Sequence, residues 1–258
     1  MHSTAPLSVV IPALDAVAVL PSCLSALDEG RRGGLLREVV VVDGGSGDGT
    51  GDAAAALGAL VVAAPRGRGT QLAAGAAAAS GEWLLFLHAD TVLAPGWSRQ
   101  VGAFLGEAEN AAGAAYFSLR LDDAGWPARL VERGVAWRCR RLGLPYGDQG
   151  LLLAAEFYCA LGGFRPLPLM EDVDLVRRIG RRRLTALPVT ATSSAARYRR
   201  DGYARRVLRN LTCLALYYLD IPPRLILRLY APPASGSNPL PNFRRPRVGG
   251  DPGRATDE

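Results

Sequence analysis

The stretch of sequence that decides the fold is residues 81–95, GEWLLFLHADTVLAP. Its apolar run, Trp83 to Leu87, predicts a strand that is buried on both faces, as in parallel sheets covered by helices. The run ends in the polar sequence HADT (88–91), and open α/β sheets bind their ligands at the carboxyl ends of such strands. Asp90 could therefore give an oxygen ligand to a divalent cation, or it could simply cap the turn that follows.

The residues before this strand repeat a strand–loop–helix pattern. Apolar and β-branched runs predict strands over 7–11, 38–42 and 60–64, and helical periodicity predicts helices over 16–27, 52–60 and 71–79, the last capped by Thr70. This alternation predicts an α/β fold with a doubly wound, mostly parallel, Rossmann-like sheet and right-handed crossovers.

The residues after it are less regular. The pattern predicts helices over 95–105, 126–142, 156–161, 171–180 and 203–219, strands over 114–121 and 151–154, a polar connection over 29–34 and a short apolar turn over 226–230. We expect a catalytic domain over 1–200, with a nucleotide-binding half (7–95) and an acceptor half (96–200). Amphipathic C-terminal helices (201–230) would follow, and then a tail (231–258) that its Pro, Gly, Ser and Arg content predicts to be disordered.

Composition bounds the class of protein. The chain has 258 residues, 49% hydrophobic and 21% charged, which suits one large globular domain. Its net charge is +6 and all of its basic residues are arginines, but no groove-reading motif accompanies them, so we expect no nucleic-acid partner. Four cysteines without a Cys-x-x-Cys pair argue against zinc and for free thiols in a reducing cytoplasm. We expect neither a secretory signal nor a membrane span.

A glycine-rich loop follows the second predicted strand, with four glycines among residues 43–50, DGGSGDGT. Its spacing departs from the Gly-x-Gly-x-x-Gly dinucleotide fingerprint, and without lysine no phosphate-binding P-loop can form. With a single histidine, His88, in the body of the chain, a Ser-His-Asp triad is also disfavoured.

The remaining candidates for chemistry are acids that follow strands or begin helices. They are Asp15, Asp43, Asp48, Asp90, Asp148, Glu171 and Asp172. Because the carboxyl ends of parallel strands face one crevice, we expect Asp43, Asp90 and the loop after Pro12 to meet around one ligand.

These acids lie in four motifs: VIPALD (10–15), VDGGSGDGT (42–50), HAD (88–90) and Glu171-Asp172. In order and spacing they resemble the family 2 glycosyltransferases, inverting nucleotide-sugar enzymes of the GT-A fold. RGR (66–68), YGDQG (146–150) and MED (170–172) further resemble a bacterial branch related to carotenoid-acid glycosyltransferases.

The resemblance implies roles for individual residues. Pro12, Ala13, Leu14, Asp15, Asp43, Gly44, Gly45, Ser46, Arg68, Gln71, His88, Ala89 and Asp90 would bind the nucleotide-sugar, with Asp43 at the uracil edge and Arg68 and Gln71 near the base or phosphates. Asp90 would hold Mn²⁺ or Mg²⁺, Asp172 would be the general base with Glu171 beside it, and Asp148 and Gln149 would touch the acceptor. The chain departs from the family's Asp-x-Asp motif by placing His88 at its first position.

The chemistry of such a site is consistent with these residue types. A divalent cation and an arginine stabilise the charge that develops on a leaving nucleoside diphosphate. One carboxylate that deprotonates the acceptor, without a covalent nucleophile, gives a single displacement with inversion. The expected function is therefore transfer of a sugar from a nucleotide-sugar, UDP-linked by resemblance, to a hydroxyl or carboxylate acceptor that the sequence does not identify. A lipid and a carotenoid are both compatible with it.

Simpler structural roles compete with these assignments. Asp43 could be an Asx-turn residue, Glu171 an N-terminal helix charge, and Asp148 and Gln149 turn residues. Arg138, Arg140 and Arg141 are expected on a solvated face.

Two other functions remain open on sequence alone. One is a nucleotidyltransferase of similar fold. The other is a basic protein that contacts the membrane surface through Arg197 to Arg209 and the apolar face of 211–219. That contact could coexist with catalysis and would place a cytoplasmic enzyme at the inner face of the plasma membrane, or the helix could only pack on the catalytic domain.

Overall fold

A computed structural model describes residues 5–230 of the chain. The strands in this part are β1 (Leu7–Ala13), β2 (Leu36–Asp43), β3 (Leu60–Ala63), β4 (Trp83–Phe86), β5 (Thr91–Leu93), β6 (Ala114–Leu121), β7 (Leu151–Ala154) and β8 (Leu184–Ser193). The predicted tail, 231–258, lies outside the described residues.

One mixed sheet contains all of these strands, in the order β3-β2-β1-β4-β7-β6-β8-β5. The strands of the first half, β1 to β4, pair in parallel, and so do β6 and β8. β7 runs antiparallel to both β4 and β6, and β5 antiparallel to β8. The doubly wound parallel half predicted from the sequence is therefore confirmed, and antiparallel pairs join it to a mixed second half.

Helices cover the sheet. They are α1 (Leu20–Ala26), α2 (Asp28–Arg32), α3 (Thr50–Ala56), α4 (Arg68–Ala78), α5 (Trp97–Gly106), α6 (Trp126–Leu142), α7 (Ala155–Ala160), α8 (Glu171–Ile179), α9 (Ala196–Asp201), α10 (Tyr203–Tyr218) and α11 (Pro223–Tyr230).

The central strands are buried because their side chains are apolar on both faces. Val39 to Val42 and Leu84 to Leu87 are each at most 4% exposed. Above them α4 approaches closely at Gly75, where an added Cβ would lie 2.4 Å from Val10 Cγ1. A side chain at this position would push α4 away from β1, so the glycine sets the position of the helix that begins at Arg68.

Some expectations for single elements were wrong. Thr70 does not cap α4, because the helix begins two residues earlier, at Arg68, after Gly67 with a φ of 144°. The predicted polar connection over 29–34 is partly helical, since Asp28 and Glu29 begin α2 and favour its N-terminus. The apolar turn predicted over 226–230 is the end of α11. Strands β5 and β8 and helix α9 were not predicted.

The C-terminal helices pack on the rest of the fold along one side. Cys213 of α10 and Ile226 of α11 are fully buried, in a cluster with Leu169. This is the packing role considered for the predicted 203–219 helix, while other residues of the same helices stay exposed. Within residues 5–230, no helix combines the length and the apolar character needed to cross a bilayer.

Candidate active site

The carboxyl ends of β1 and β4 open into a cleft, as expected for a sheet of this kind. From the predicted nucleotide-sugar residues, Pro12, Ala13, Leu14, Asp15, Arg68, Gln71, His88, Ala89 and Asp90 line it. The structure thus brings together residues that are up to 78 positions apart in the sequence.

The glycine-rich loop after β2 is locked to the loop after β1. Asp43 Oδ1 accepts hydrogen bonds from the backbone N–H and the hydroxyl of Ser46, at 3.0 and 2.5 Å. The Ser46 hydroxyl in turn accepts the backbone N–H of Asp15, and Asp15 Oδ1 accepts the N–H of Gly47. Asp43 therefore has a structural role in this loop, although it bonds the N–H three residues on and not the one two residues on that defines an Asx-turn. Neither Asp43 nor Gly44, Gly45 nor Ser46 is among the residues that line the cleft.

Gln71 fixes the ends of the two strands. Its side chain is 5% exposed, and its amide nitrogen donates to the carbonyls of Ala13 and Val42 at 2.8 and 2.9 Å. Each carbonyl belongs to a different strand, so the amide holds the floor of the cleft together.

A second chamber continues from this cleft. His88, Asp90 and Arg68 line both, and the predicted catalytic and acceptor residues Asp172, Glu171 and Asp148 line the chamber. Asp90 and Asp172, the predicted metal ligand and base, therefore face one space. Asp43, the third acid expected to meet them, does not line it.

Asp172 is held by the loop after α6. Met170, with a φ of 66°, turns the chain into α8, and Asp172 lies in the first turn. Its Oδ2 accepts the backbone N–H of Gly147 at 2.9 Å. Gly147 also lies against His88, because an added Cβ would come within 2.5 Å of His88 Nε2. These contacts orient the carboxylate that was predicted to be the base.

Glu171 has a partner that the sequence did not indicate. Arg68 Nη1 lies 3.3 Å from Glu171 Oε1, and the glutamate side chain is 2% exposed. Burial, and then the charge of Asp172, raise the pKa of Glu171 although Arg68 opposes them. Glu171 and Asp172 in turn raise the pKa of Arg68 against the opposing effect of its own burial. Arg68 therefore carries its charge between two carboxylates at the junction of cleft and chamber.

Within residues 5–230, three polar atoms of chamber-lining residues are buried without a hydrogen-bond partner. One is Asn210 Oδ1 in the C-terminal segment, and the other two are His88 Nε2 and Asp148 Oδ1. Burial, Arg68 and Arg197 hold the pKa of His88 well below its usual value, so its imidazole is neutral at pH 7 and can offer a lone pair. Burial, with Asp172 and Asp90, raises the pKa of Asp148 to about 6. Buried atoms of this kind normally find partners, so both point to a ligand.

The donor set fits a divalent cation only in part. Asp90 offers carboxylate oxygens and His88 an unpartnered nitrogen, both along one wall. Across residues 5–230, however, no three His, Cys, Asp or Glu side chains lie close enough to form a complete site. A cation here would need further oxygen ligands from a substrate, which is how Mg²⁺ commonly binds with phosphates.

Gln149 lies in the 147–149 turn, which was the alternative to an acceptor contact, and Arg138 departs from its expected position. Gln149 is 1% exposed and lies below the chamber surface, where its amide nitrogen donates to the Phe117 carbonyl. Arg138 is not on a solvated face, because its guanidinium covers the Tyr146 ring at 3.4 Å and donates to the Leu144 carbonyl. Both residues support the 146–148 loop instead of touching solvent or acceptor.

The C-terminal segment supplies a wall of the chamber that sequence reasoning missed. Its lining residues are Arg197, Tyr198, Arg206, Asn210 and Tyr230. Arg206 is 6% exposed and donates to the Tyr230 hydroxyl. The only signal was the arginine cluster over 197–209, which was interpreted as a surface.

The fold is a mixed α/β sheet with acidic side chains gathered at one sheet edge. The chain belongs to glycosyl transferase family 2, whose family model matches residues 8–165. The resemblance to this family seen in the sequence is thereby confirmed.

Among curated proteins, the chain is similar to the PGL/p-HBAD biosynthesis glycosyltransferases of Mycobacterium bovis and Mycobacterium tuberculosis. The identity is 39% over 110 residues, or 40% of this chain. The match spans only 42% of the length of those relatives.

Among solved structures, the fold is similar to glucosyl-3-phosphoglycerate synthase from Mycobacterium tuberculosis in complex with Mn²⁺, UDP and glucosyl-3-phosphoglycerate. The TM-score is 0.55 at 23% identity, covering 80% of this chain and 78% of that one. Mannosyl-3-phosphoglycerate synthase from Rubrobacter xylanophilus gives 0.54 at 17% identity, covering 84% and 75%. At these identities the likeness establishes the GT-A fold.

Proposed function

We propose that this protein is a metal-dependent, inverting glycosyltransferase that moves a sugar from a UDP-sugar to a hydroxyl or carboxylate acceptor. The observation that carries the proposal is that Asp90, Arg68 and Asp172 line one chamber, which continues into the cleft at the end of β1. The similar solved structures of glucosyl-3-phosphoglycerate synthase hold UDP with Mn²⁺ or with Mg²⁺, which supports the choice of donor and cation.

The nucleotide would lie in the cleft against Pro12 to Asp15, and its diphosphate would reach Arg68 and Asp90. Asp90, with the unpartnered His88 Nε2, would hold the cation. When bound, Mn²⁺ or Mg²⁺ supplies charge stabilisation for the diphosphate leaving group. Arg68 adds a permanent charge at the same place, which the low dielectric of a chamber strengthens.

Asp172 would take the proton from the acceptor. Asp172 Oδ2 accepts the N–H of Gly147, and Asp172 Oδ1 accepts the N–H of Val173 in the first turn of α8. These two hydrogen bonds fix the direction of the carboxylate. A positioned base of this kind contributes roughly 10²- to 10⁴-fold to a rate. Glu171 is tied to Arg68 and would act by orienting that arginine.

A direct test is UDP release from a panel of UDP-sugars with Mn²⁺, repeated with EDTA. Asp90→Ala should lose metal dependence and Asp172→Asn should lose turnover by roughly 10²-fold or more while it still binds UDP with Mn²⁺. Asp52→Asn, at an exposed position of α3, is the matched control and should behave as wild type. Unchanged turnover in both site variants would refute these assignments.

We also propose that the C-terminal helices contact a membrane, which would bring a cytoplasmic enzyme to the inner face of the plasma membrane. Leu208, Leu211 and Leu219 of this region are 67, 56 and 71% exposed, and Arg205 lies beside them. Apolar helix faces with basic neighbours bind membrane interfaces. Flotation of Leu208→Ser/Leu211→Ser with lipid vesicles tests the proposal, and binding equal to wild type would count against it.

A further inference from the structure

Helix α6 has two faces of different character. Ala128, Val135 and Cys139 are buried and pack against side chains of β6. On the opposite side Trp126, Leu130 and Trp137 are 77, 60 and 56% exposed. At 3.6 residues per turn these three positions fall within about 40° of one another around the helix axis. We call this stripe the α6 outer face.

Arginines border the α6 outer face. Arg133, Arg140 and Arg141 of the same helix are exposed, and Arg181 Nη2 donates to the Arg140 carbonyl. Trp137, Arg140, Arg141 and Arg181 share one surface depression. Within residues 5–230, none of these four arginines forms an ion pair with a carboxylate, so their charges face outward together.

We propose that the α6 outer face is a docking surface for an anionic lipid bilayer. Single exposed apolar residues are ordinary, but two tryptophans and a leucine in one stripe are not. Tryptophan favours the boundary between acyl chains and headgroups because its ring is apolar and its N–H is polar. Each arginine near an anionic surface adds to the attraction, and here they lie on both sides of the stripe.

The bilayer fits this surface better than a protein partner does. The stripe lies along one helix, with arginines rather than acidic side chains at its border, so its charge complements phosphate headgroups. A net charge of +6 for the whole chain acts in the same direction.

The inner side of the same helix supports the chamber. Arg138 donates to the Leu144 carbonyl at 2.8 Å and covers the Tyr146 ring, next to Gly147 and Asp148 of the chamber wall. Helix α6 therefore connects the docking surface with the loop that faces the acceptor. If the proposed transfer is correct, on which this step alone rests, the acceptor is a membrane lipid or an amphiphile dissolved in the membrane.

The tryptophans of the protein give a direct reporter. The chain has four, of which Trp83 and Trp97 are 9 and 0% exposed, so a change of emission on binding reports Trp126 and Trp137. We expect the full chain to float with phosphatidylglycerol/phosphatidylcholine vesicles, to shift its emission to the blue, and to be released by high salt. Pure phosphatidylcholine vesicles should bind more weakly.

Variants separate the surfaces. Trp126→Ser/Trp137→Ser should weaken binding by roughly tenfold or more, and Arg133→Gln/Arg140→Gln/Arg141→Gln should reduce the salt dependence. Leu57→Ser/Leu60→Ser, at positions 42 and 48% exposed near β3, is the control and should bind as wild type. Circular dichroism and UDP binding of each variant confirm an intact fold without depending on transfer activity.

Three results would overturn the proposal. They are no binding of the full chain to anionic vesicles, binding of the tryptophan variant equal to wild type, or a vesicle-independent dimer that the tryptophan substitutions dissociate. If the wild-type chain binds anionic vesicles but turns over no UDP-sugar, only the proposed transfer is refuted and the docking surface stands.

Discussion

The backbone N–H of Gly147 donates a hydrogen bond to Asp172 Oδ2 at 2.9 Å. The two residues belong to different parts of the chamber wall: Gly147 to the loop that follows α6 and Asp172 to the first turn of α8. A single backbone contact thus fixes the proposed base relative to the loop that faces the acceptor. An added Cβ at Gly147 would lie 2.5 Å from His88 Nε2, so this glycine also sets the distance between its own loop and His88.

Gly147→Ala should therefore lower the turnover more than the stability. The methyl group must displace either the His88 ring or the loop, and overpacking of this kind costs about 1–3 kcal/mol. Displacement of the loop breaks the hydrogen bond to Asp172, and a misplaced base loses roughly 10²-fold in kcat. Steady-state kinetics with a UDP-sugar, combined with urea unfolding, measure the two effects separately.

The matched control for this substitution is Gly134→Ala in α6. Nothing lies within 4 Å of a Cβ at that position, and the residue is exposed in a helix. Alanine there should raise the stability by about 0.5–1 kcal/mol and leave kcat unchanged. If Gly147→Ala behaved in the same way as this control, the contact of the Gly147 loop with His88 and Asp172 would not position the Asp172 carboxylate.

The ion pair between Arg68 and Glu171 makes a second prediction. Arg68→Met leaves Glu171, whose side chain is 2% exposed, next to Asp172 without its cation. Loss of one partner of a buried pair is strongly destabilising, but Arg68 is itself 34% exposed, so we expect about 2–3 kcal/mol. Chemical unfolding of the purified variant measures this loss.

The double variant Arg68→Met/Glu171→Met should recover most of that stability, because it removes the buried charge as well. Arg66→Met, at an exposed position two residues earlier, should be close to neutral. A double variant as unstable as Arg68→Met would mean that the uncompensated charge of Glu171 is not the cause of the loss.

The cysteines give a prediction that needs no substrate. All four are free, and Cys159 is exposed whereas Cys23, Cys139 and Cys213 are buried. Burial raises the pKa of Cys23 to about 12 and also raises the pKa of Cys139 and Cys213, which keeps these thiols protonated. We expect one thiol to react rapidly with a disulfide reagent in the native protein and all four to react in denaturant.

The identity of the reactive thiol is checked with Cys159→Ser, in which the fast phase should disappear. Two fast thiols in the native wild type would mean that a buried helix face opens readily. The second fast thiol would identify the helix concerned, because Cys23, Cys139 and Cys213 lie on α1, α6 and α10.

Elements with strong local signals could be predicted from the sequence. Helix α6 has the predicted bounds, because Pro127 favours its first turn and Gly143, with a φ of 62°, ends it. The apolar runs of β2 and β4 predicted strands for the same reason that they are buried on both faces.

Strand β8 could not be predicted because its stability is not local. Its sequence, LTALPVTATS, contains a proline, and its pairing with β6 jumps from Leu187 to Thr190, so that Pro188 and Val189 leave the ladder. Proline is tolerated in sheets at such irregularities. The strand forms because β6 offers it a partner about 70 residues earlier in the chain.

In the candidate site, too, residues in local motifs could be predicted and residues placed by non-local packing could not. Asp90 and Asp172 were predicted from motifs, and the structure places them along one chamber. Arg206 and Asn210 could not be assigned, since they reach the chamber only through the packing of α10. The buried position of Gln149 was equally invisible, because the turn sequence around it is polar.

The carboxyl of Asp148 makes the last prediction. Burial raises its pKa to about 6 from an ordinary value of 3.8, and its Oδ1 lacks a hydrogen-bond partner. An acid with a higher pKa in the folded state keeps its proton while the unfolded chain releases it. The free energy of unfolding therefore falls as the pH rises from 3.8 to about 6, and above this range the full cost remains, about 3 kcal/mol.

Asp148→Asn removes the ionisation but keeps the shape of the side chain. At about pH 8 the variant should be more stable than wild type by up to about 3 kcal/mol, and below about pH 4 the difference should vanish. Urea unfolding across this pH range, with EDTA present, measures both limits. A variant that is less stable than wild type at every pH would show that the Asp148 carboxylate has a stabilising partner in the folded protein, and that the chamber does not penalise its charge.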